Sequence, residues 1–209
     1  MAGLFITVEG SEGAGKSTNL AYVREQLVAN GHDVVETREP GGTVLSEHIR
    51  DILLGHEYDG MHEDTELLLM FAARCEHLNQ LIIPALKAGK TVLCDRFTDA
   101  TYAYQGAARG ISRDKIAALE NWVQGDLRPD LTLFLDVPVD IGMKRAGQRS
   151  APDRFEKEQL SFFDKVRKGY LDQANDNPQR YRVIDASVSL DKVQAQISSV
   201  LSDFLNNRK

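Results

Sequence analysis

The 209-residue sequence has only two cysteines, Cys75 and Cys94, and they show neither CxxC nor metal-ligand spacing. That excludes a disulfide scaffold and a thiolate-held metal site. An excess of positive charge is also missing: 25 Lys and Arg against 31 Asp and Glu leave a formal charge of -6. A broad basic face for nucleic acid or anionic membrane is therefore not expected, and any anion site must be local. No apolar run approaches the roughly 20 residues needed to span a bilayer. There is no internal repeat or low-complexity tract, and no signal-peptide pattern opens the chain. These absences point to a reduced, cytoplasmic compartment. What is present, 42% hydrophobic and 27% charged residues, is the balance of a single globular domain over 1–209 with a sizeable core.

The chain alternates short apolar runs with helical periodicity. Leu4 to Val8 reads as a buried strand, and Leu20, Val23 and Leu27 recur at helical spacing until Asn30-Gly31 supplies a stop. Further strands are predicted at Val34-Val35, Thr91 to Cys94, Leu131 to Leu135 and Tyr181 to Ile184. Helices are predicted near Leu45 to Leu54, from Asp64 through Phe71, around Asp114 to Val123, on both sides of Gly147 to Pro152, and at the end, with Pro84 as a candidate kink. Five strands alternating with helices predict an α/β protein: a doubly wound, five-stranded parallel sheet with helices on both faces, binding ligands beyond its strands' carboxyl ends.

Gly10-Ser11-Glu12-Gly13-Ala14-Gly15-Lys16-Ser17 is a complete GxxxxGK[ST] sequence between a predicted strand and a predicted helix. Its glycines let the backbone curl so that amides face a polyphosphate, and the helix N-terminus adds partial positive charge. Lys16 is placed to reach the β- and γ-phosphates, Ser17 to put its hydroxyl on Mg²⁺, and Thr18 to add a polar contact. The motif implies a P-loop NTPase fold but does not separate kinase from GTPase, ATPase or nucleotide-dependent binder; an NKxD guanine-reading segment is absent.

The second substrate has to be sought among cations. A phosphate-monoester acceptor is already anionic near neutral pH, so its phosphorylation needs alignment and charge neutralisation more than a base. Arg38, Arg50, Arg74, Arg96, Arg145, Arg149 and Arg154 stand at predicted strand ends, helices and loops. Asp95-Arg96 directly follows an apolar strand, beside the P-loop. Arg96 suits a bidentate phosphate clamp and Asp95 suits magnesium or its waters, with a structural ion pair as the alternative. Asp136, ending the next strand, reads as a turn cap and is left out of the site.

Seven segments together resemble the thymidylate kinases of bacteria over nearly the whole chain: the P-loop, Thr37 to Thr43, Phe71 to Arg74, Asp95 to Phe97, Ala103 to Gly106, Arg109 to Ile111 and Asp153 to Glu156. The resemblance implies transfer of the γ-phosphoryl group of ATP to dTMP with Mg²⁺, in dTTP biosynthesis, by a homodimer. It implies that Arg50 and Arg96 clamp the dTMP phosphate, that Arg74, Thr101 and Gln105 meet the thymine, and that Tyr104 crowds the sugar's 2′ position, which selects deoxyribose. Glu39 falls in the loop near the transfer site, organising water, magnesium or an arginine. A LID is implied near 145–156. With Glu12 rather than an arginine in the P-loop, the chain resembles the members whose LID supplies the catalytic arginine, which implies Arg149 and Arg154 as candidates and Arg145 toward ATP. Many members carry a thymine-stacking phenylalanine four residues before Arg74, where this sequence has Met70. Phe71 is the aromatic candidate for that contact; one helical step turns a side chain by about 100°, so the two residues point differently, and core packing of both is the alternative.

Overall fold

The computed structural model describes residues 3–147, 154–155 and 158–208. Strands β1 (Phe5–Glu9), β2 (Val34–Arg38), β3 (Thr91–Asp95), β4 (Leu131–Asp136) and β5 (Tyr181–Asp185) run parallel in the order β2-β3-β1-β4-β5. Side chains alternate across the sheet, and both faces are apolar because both are covered. Ile6, Val8, Leu133 and Leu135 pack with Leu20, Val23 and Leu27 of α1 (Lys16–Ala29) and Val193, Ile197 and Leu201 of α9 (Leu190–Asn206). On the other face Phe134 joins Phe163, Val166 and Tyr170 of α8 (Leu160–Asp176), while Phe5, Val92 and Cys94 pack with Leu78, Ile82 and Phe97.

The strand order matters because β1 is central and β3 is its neighbour. Val8 lies opposite Asp95, so the loop after β1 and the turn after β3 emerge side by side. That is the crevice where a doubly wound sheet receives ligands. Helices α2 (Val44–Leu54) and α3 (Glu63–His77) stand over it. Thr43 caps α2 by accepting from the Ser46 amide at 3.2 Å, whereas α1 starts at left-handed Gly15 with no side-chain cap. Its first-turn amides are thus available to an anion.

Two stretches depart from the sequence reading. Pro84 does not interrupt the chain: α3 widens into a π-helical segment, Leu78–Ile82, before α4 (Ile83–Lys87), and Pro84 falls in the first turn of α4. Proline's missing N–H and its ring are tolerated at that position. A second helix went unpredicted, α5 (Thr98–Thr101), continuing as a π-helical segment, Tyr102–Ala108. Gly169 of α8 lets it dock closely, since a Cβ there would lie 2.9 Å from the Ala103 Cα and 2.8 Å from the Ala107 Cβ. The remaining helices are α6 (Arg113–Gln124) and α7 (Val139–Ala146). Gly142 of α7 abuts the P-loop: a Cβ on Gly13 would fall 1.8 Å from the Gly142 carbonyl oxygen, and a Cβ on Gly142 would fall 2.7 Å from that of Glu12.

Candidate active site

The loop after β1 curls over the start of α1. Gly13 and Gly15 adopt φ of 71° and 83°, conformations that favour glycine, and Lys16 folds back so that its Nζ donates to the Gly10 and Ser11 carbonyls at 3.1 and 3.3 Å. Burial lowers the lysine's pKa from its ordinary value, as does the nearby Arg96 charge, against the pull of Asp95, Glu12 and Glu9. Ser17 and Thr18 are exposed at the mouth of this loop.

Beside the P-loop opens a cleft lined by Glu12, Glu39, Arg50, Met70, Arg74, Arg96, Thr101, Tyr104 and Gln105 among others. Arg96 joins the cleft to the loop. It is the one non-glycine residue at positive φ, 68°, among the described residues, and its amide donates to the Val8 carbonyl at 3.0 Å. Such a conformation persists where the surroundings hold it. Here Glu9, wholly buried at the end of β1, accepts from the Phe97 amide at 2.7 Å and the Tyr170 hydroxyl at 2.8 Å. Burial and the neighbouring Asp99 push the Glu9 carboxyl up to about 8. The Arg96 side chain donates through Nη2 to Gly10 O at 3.3 Å, Glu12 Oε1 at 2.9 Å and the Tyr104 hydroxyl oxygen at 3.1 Å, and its buried Nε has no partner among the described residues. Tyr104 donates in turn to Glu12 at 2.7 Å.

At the far end of the cleft, α3 supplies Arg74. Its Nε donates to Glu39 at 2.7 Å and its Nη2 to the Thr101 hydroxyl at 3.1 Å, while Nη1 is buried without a partner among the described residues. Glu39 also pairs with His77 Nδ1 at 3.0 Å, and His77 Nε2 meets the Thr37 hydroxyl at 2.7 Å. Burial alone would raise the Glu39 carboxyl; Arg74 and His77 outweigh it and hold the group below its ordinary value. Arg50 donates to the Pro40 carbonyl at 2.8 Å, and burial together with Arg38 and Arg96 lowers its pKa. The sequence reading missed His77, Thr37 and Glu9. His77 was legible in principle, since it lies one helical turn after Arg74 on the same face.

Other expected residues sit differently. Phe71 does not line the cleft: it is 2% exposed, packed with Leu67 and Ile116, and its ring lies 4.7 Å from the Arg74 guanidinium carbon. Met70 lines the cleft instead. Arg154 is not turned to the P-loop either. Its Nε donates to the Leu53 carbonyl at 2.8 Å and its Nη2 to buried Glu66 at 2.7 Å. Arg145 donates to the Ala186 and Ser187 carbonyls beyond β5, at 2.8 and 3.4 Å. Arg38 is engaged by Glu47 at 2.8 Å and Asp136 by Arg167 at 2.6 Å, both structural pairs. Arg149 lies outside the described residues.

For a metal, no group of three or more His, Cys, Asp or Glu comes together among the described residues. Asp95 Oδ1, however, is buried without a partner among the described residues, and Asp95 lines a second cleft together with Ser17. One carboxylate and one hydroxyl fit Mg²⁺, which keeps several waters and takes further ligands from nucleotide phosphates.

A family model described as thymidylate kinase matches residues 8–197. The chain belongs to the thymidylate kinase family. A thymidylate kinase of Pseudomonas syringae pv. tomato is 60% identical over 205 residues, 98% of each chain, and one of Pseudomonas savastanoi pv. phaseolicola is 57% identical over 209 residues, all of both chains. Among solved structures, the thymidylate kinase of Ehrlichia chaffeensis matches with a TM-score of 0.78 at 36% identity, covering 97% of this chain and 99% of that one. The shared architecture is the P-loop NTPase fold.

Proposed function

We infer that the chain transfers the γ-phosphoryl group of ATP to dTMP, giving ADP and dTDP. The observation that carries this reading is Arg96, which reaches from the P-loop into the neighbouring cleft and so stands between donor and acceptor phosphates. Lys16, held on two carbonyls, exchanges them for the β- and γ-phosphates when ATP enters. The amides of Gly10 to Ser17 cradle those phosphates, with Thr18 beside them and Arg145 toward the adenine side. Arg96 and Arg50 fix the dTMP phosphate, whose own oxygen is the nucleophile, so no general base is required. Arg74, Thr101 and Gln105 read the thymine, Met70 packs beside it, and Tyr104 closes the space that a ribose 2′-hydroxyl needs. Glu39 orients Arg74. Ser17, with Asp95 directly or through water, would hold Mg²⁺, which would supply charge neutralisation on the transferring group.

Residues 145–156 are the LID in this reading, with Arg149 and Arg154 as its cations; Arg154 reaches the phosphates only by leaving Glu66. The unit functions as one kinase domain. A homodimer is part of the proposal, supported by exposed Val44, Leu45, Leu68 and Trp122 on α2, α3 and α6, and sedimentation would test it. A cytoplasmic setting, with no nucleic acid or membrane partner, fits the free thiols and the net charge. No helix among the described residues is long and apolar enough to cross a membrane.

A screen of monophosphates with Mg·ATP tests the reading. ADP formation should depend on the monophosphate and be fastest with dTMP; hydrolysis indifferent to every monophosphate would overturn it. Two variants test the placement. Gly142→Ala gains helix propensity but sets a methyl against the Glu12 carbonyl, so KM for ATP is expected to rise by about tenfold while KM for dTMP changes little. Asp95→Asn is expected to raise the Mg²⁺ concentration for half-maximal rate by about tenfold or more, and an unchanged Mg²⁺ titration would remove Asp95 from the metal site.

A further inference from the structure

One buried carboxylate beside the base-reading end of the cleft is unused by the reaction as described. Glu66, in the first turn of α3, is 1% exposed. Its Oε2 accepts from Arg154 Nη2 at 2.7 Å, and its Oε1 accepts from Gln105 Nε2 at 2.8 Å with Arg109 Nε at 3.5 Å. The two ends of a glutamine amide have nearly the same shape, so the partner decides which way it points. A carboxylate accepts and does not donate, so it takes the NH₂ end. Gln105 lines the cleft, and its Oε1 has no hydrogen bond among the described residues.

We propose that Glu66 is a positioning residue that fixes the Gln105 amide with its oxygen free for the incoming base, so that the cleft selects a pyrimidine carrying a ring N–H donor. The proposal rests on the dTMP reading and deepens it. Thymine and uracil present an N3–H to that oxygen. Cytosine presents a bare N3, an acceptor facing an acceptor, and a buried polar group left unmatched in this way carries a large penalty. Rotating the amide to suit cytosine would turn its oxygen onto Glu66, where the same conflict reappears. Arg109 also faces the carboxylate, so Glu66 does not swing away without breaking an ion pair even when Arg154 leaves it.

Glu66→Gln tests this without changing shape. A glutamine at position 66 can donate to a rotated Gln105, which frees the amide to serve either base. The kcat/KM ratio for dTMP over dCMP is expected to fall by about tenfold or more in Glu66→Gln and to stay within about threefold of wild type in Glu66→Asp, which keeps an acceptor-only group. A ratio unchanged in Glu66→Gln, or lowered equally in both variants, assigns Glu66 to structure alone and overturns the proposal. Absence of dTMP phosphorylation by the wild-type protein would instead remove the function on which it rests. In a neutron map of the wild-type protein in D₂O, the Gln105 amide deuterons are expected on the Glu66 side. Deuterons directed into the cleft would overturn the proposal whatever the variants do.

Discussion

Lys16→Ala is expected to lower kcat for dTMP phosphorylation by about 10²- to 10³-fold, the scale seen when one preorganised transition-state donor is removed. Lys16 is already gathered onto the loop by the Gly10 and Ser11 carbonyls, so little reorganisation separates its resting position from a bound triphosphate. Its lowered pKa has the same origin, burial beside Arg96, and burial also strengthens its interaction with developing charge. Because that interaction grows as charge shifts toward the β–γ bridge, kcat and kcat/KM should fall together. Steady-state kinetics with both substrates varied would show it. Near-normal turnover would contradict the assignment of the loop.

Arg74→Ala should act on dTMP and on the fold at once. The guanidinium holds Glu39 and Thr101, and its Nη1, unpartnered among the described residues, is the donor proposed for the base, so its loss is expected to raise KM for dTMP and to blur the choice among bases. It also leaves the buried Glu39 carboxylate with His77 as its remaining charged partner, and breaking a buried ion pair typically costs about 3–5 kcal/mol. The pH dependence follows with a definite sign. Glu39 is held below its unfolded value, so its stabilisation is present above the ordinary carboxylate range and is lost as pH falls through the depressed value. Without Arg74 the burial effect is less opposed, the Glu39 pKa rises, and acid unfolding should begin at higher pH. Urea melts across pH read the stability, and competition between monophosphates reads the base choice. Arg74→Lys keeps the charge but not the fork, and should restore more stability than selectivity. If KM for dTMP and base choice both stayed unchanged, Arg74 would have no part in reading the base.

The elements that the sequence made legible are those whose causes are local. The P-loop carries its own geometry in its glycines, and the strand before it and the helix after it have unmistakable periods. Position in a doubly wound sheet did the same for Asp95-Arg96, because a residue ending the strand next to β1 has to emerge at the crevice. What stayed hidden depends on distant partners. The helix from Thr98 has no apolar period of its own, and its π-helical continuation packs closely on Gly169. Phe71 and Met70 differ by one helical step, and it is Ile116 on α6, with Leu67 one turn back, that draws the ring into the core and leaves Met70 to the cleft. Arg154 reads as a loop cation until buried Glu66 is seen to claim it. The relay from Arg74 through Glu39 and His77 to Thr37 joins α3 to β2 and its following loop, which a reading along the chain does not bring together.

Two nucleotides bound in this crevice pass a phosphoryl group from one to the other without releasing it to water. ATP labelled in its γ-phosphate, incubated with the protein, Mg²⁺ and dTMP, measures this directly. The label is predicted to appear in dTDP in step with ADP formation. Label released as inorganic phosphate at a rate that dTMP does not change would contradict the account.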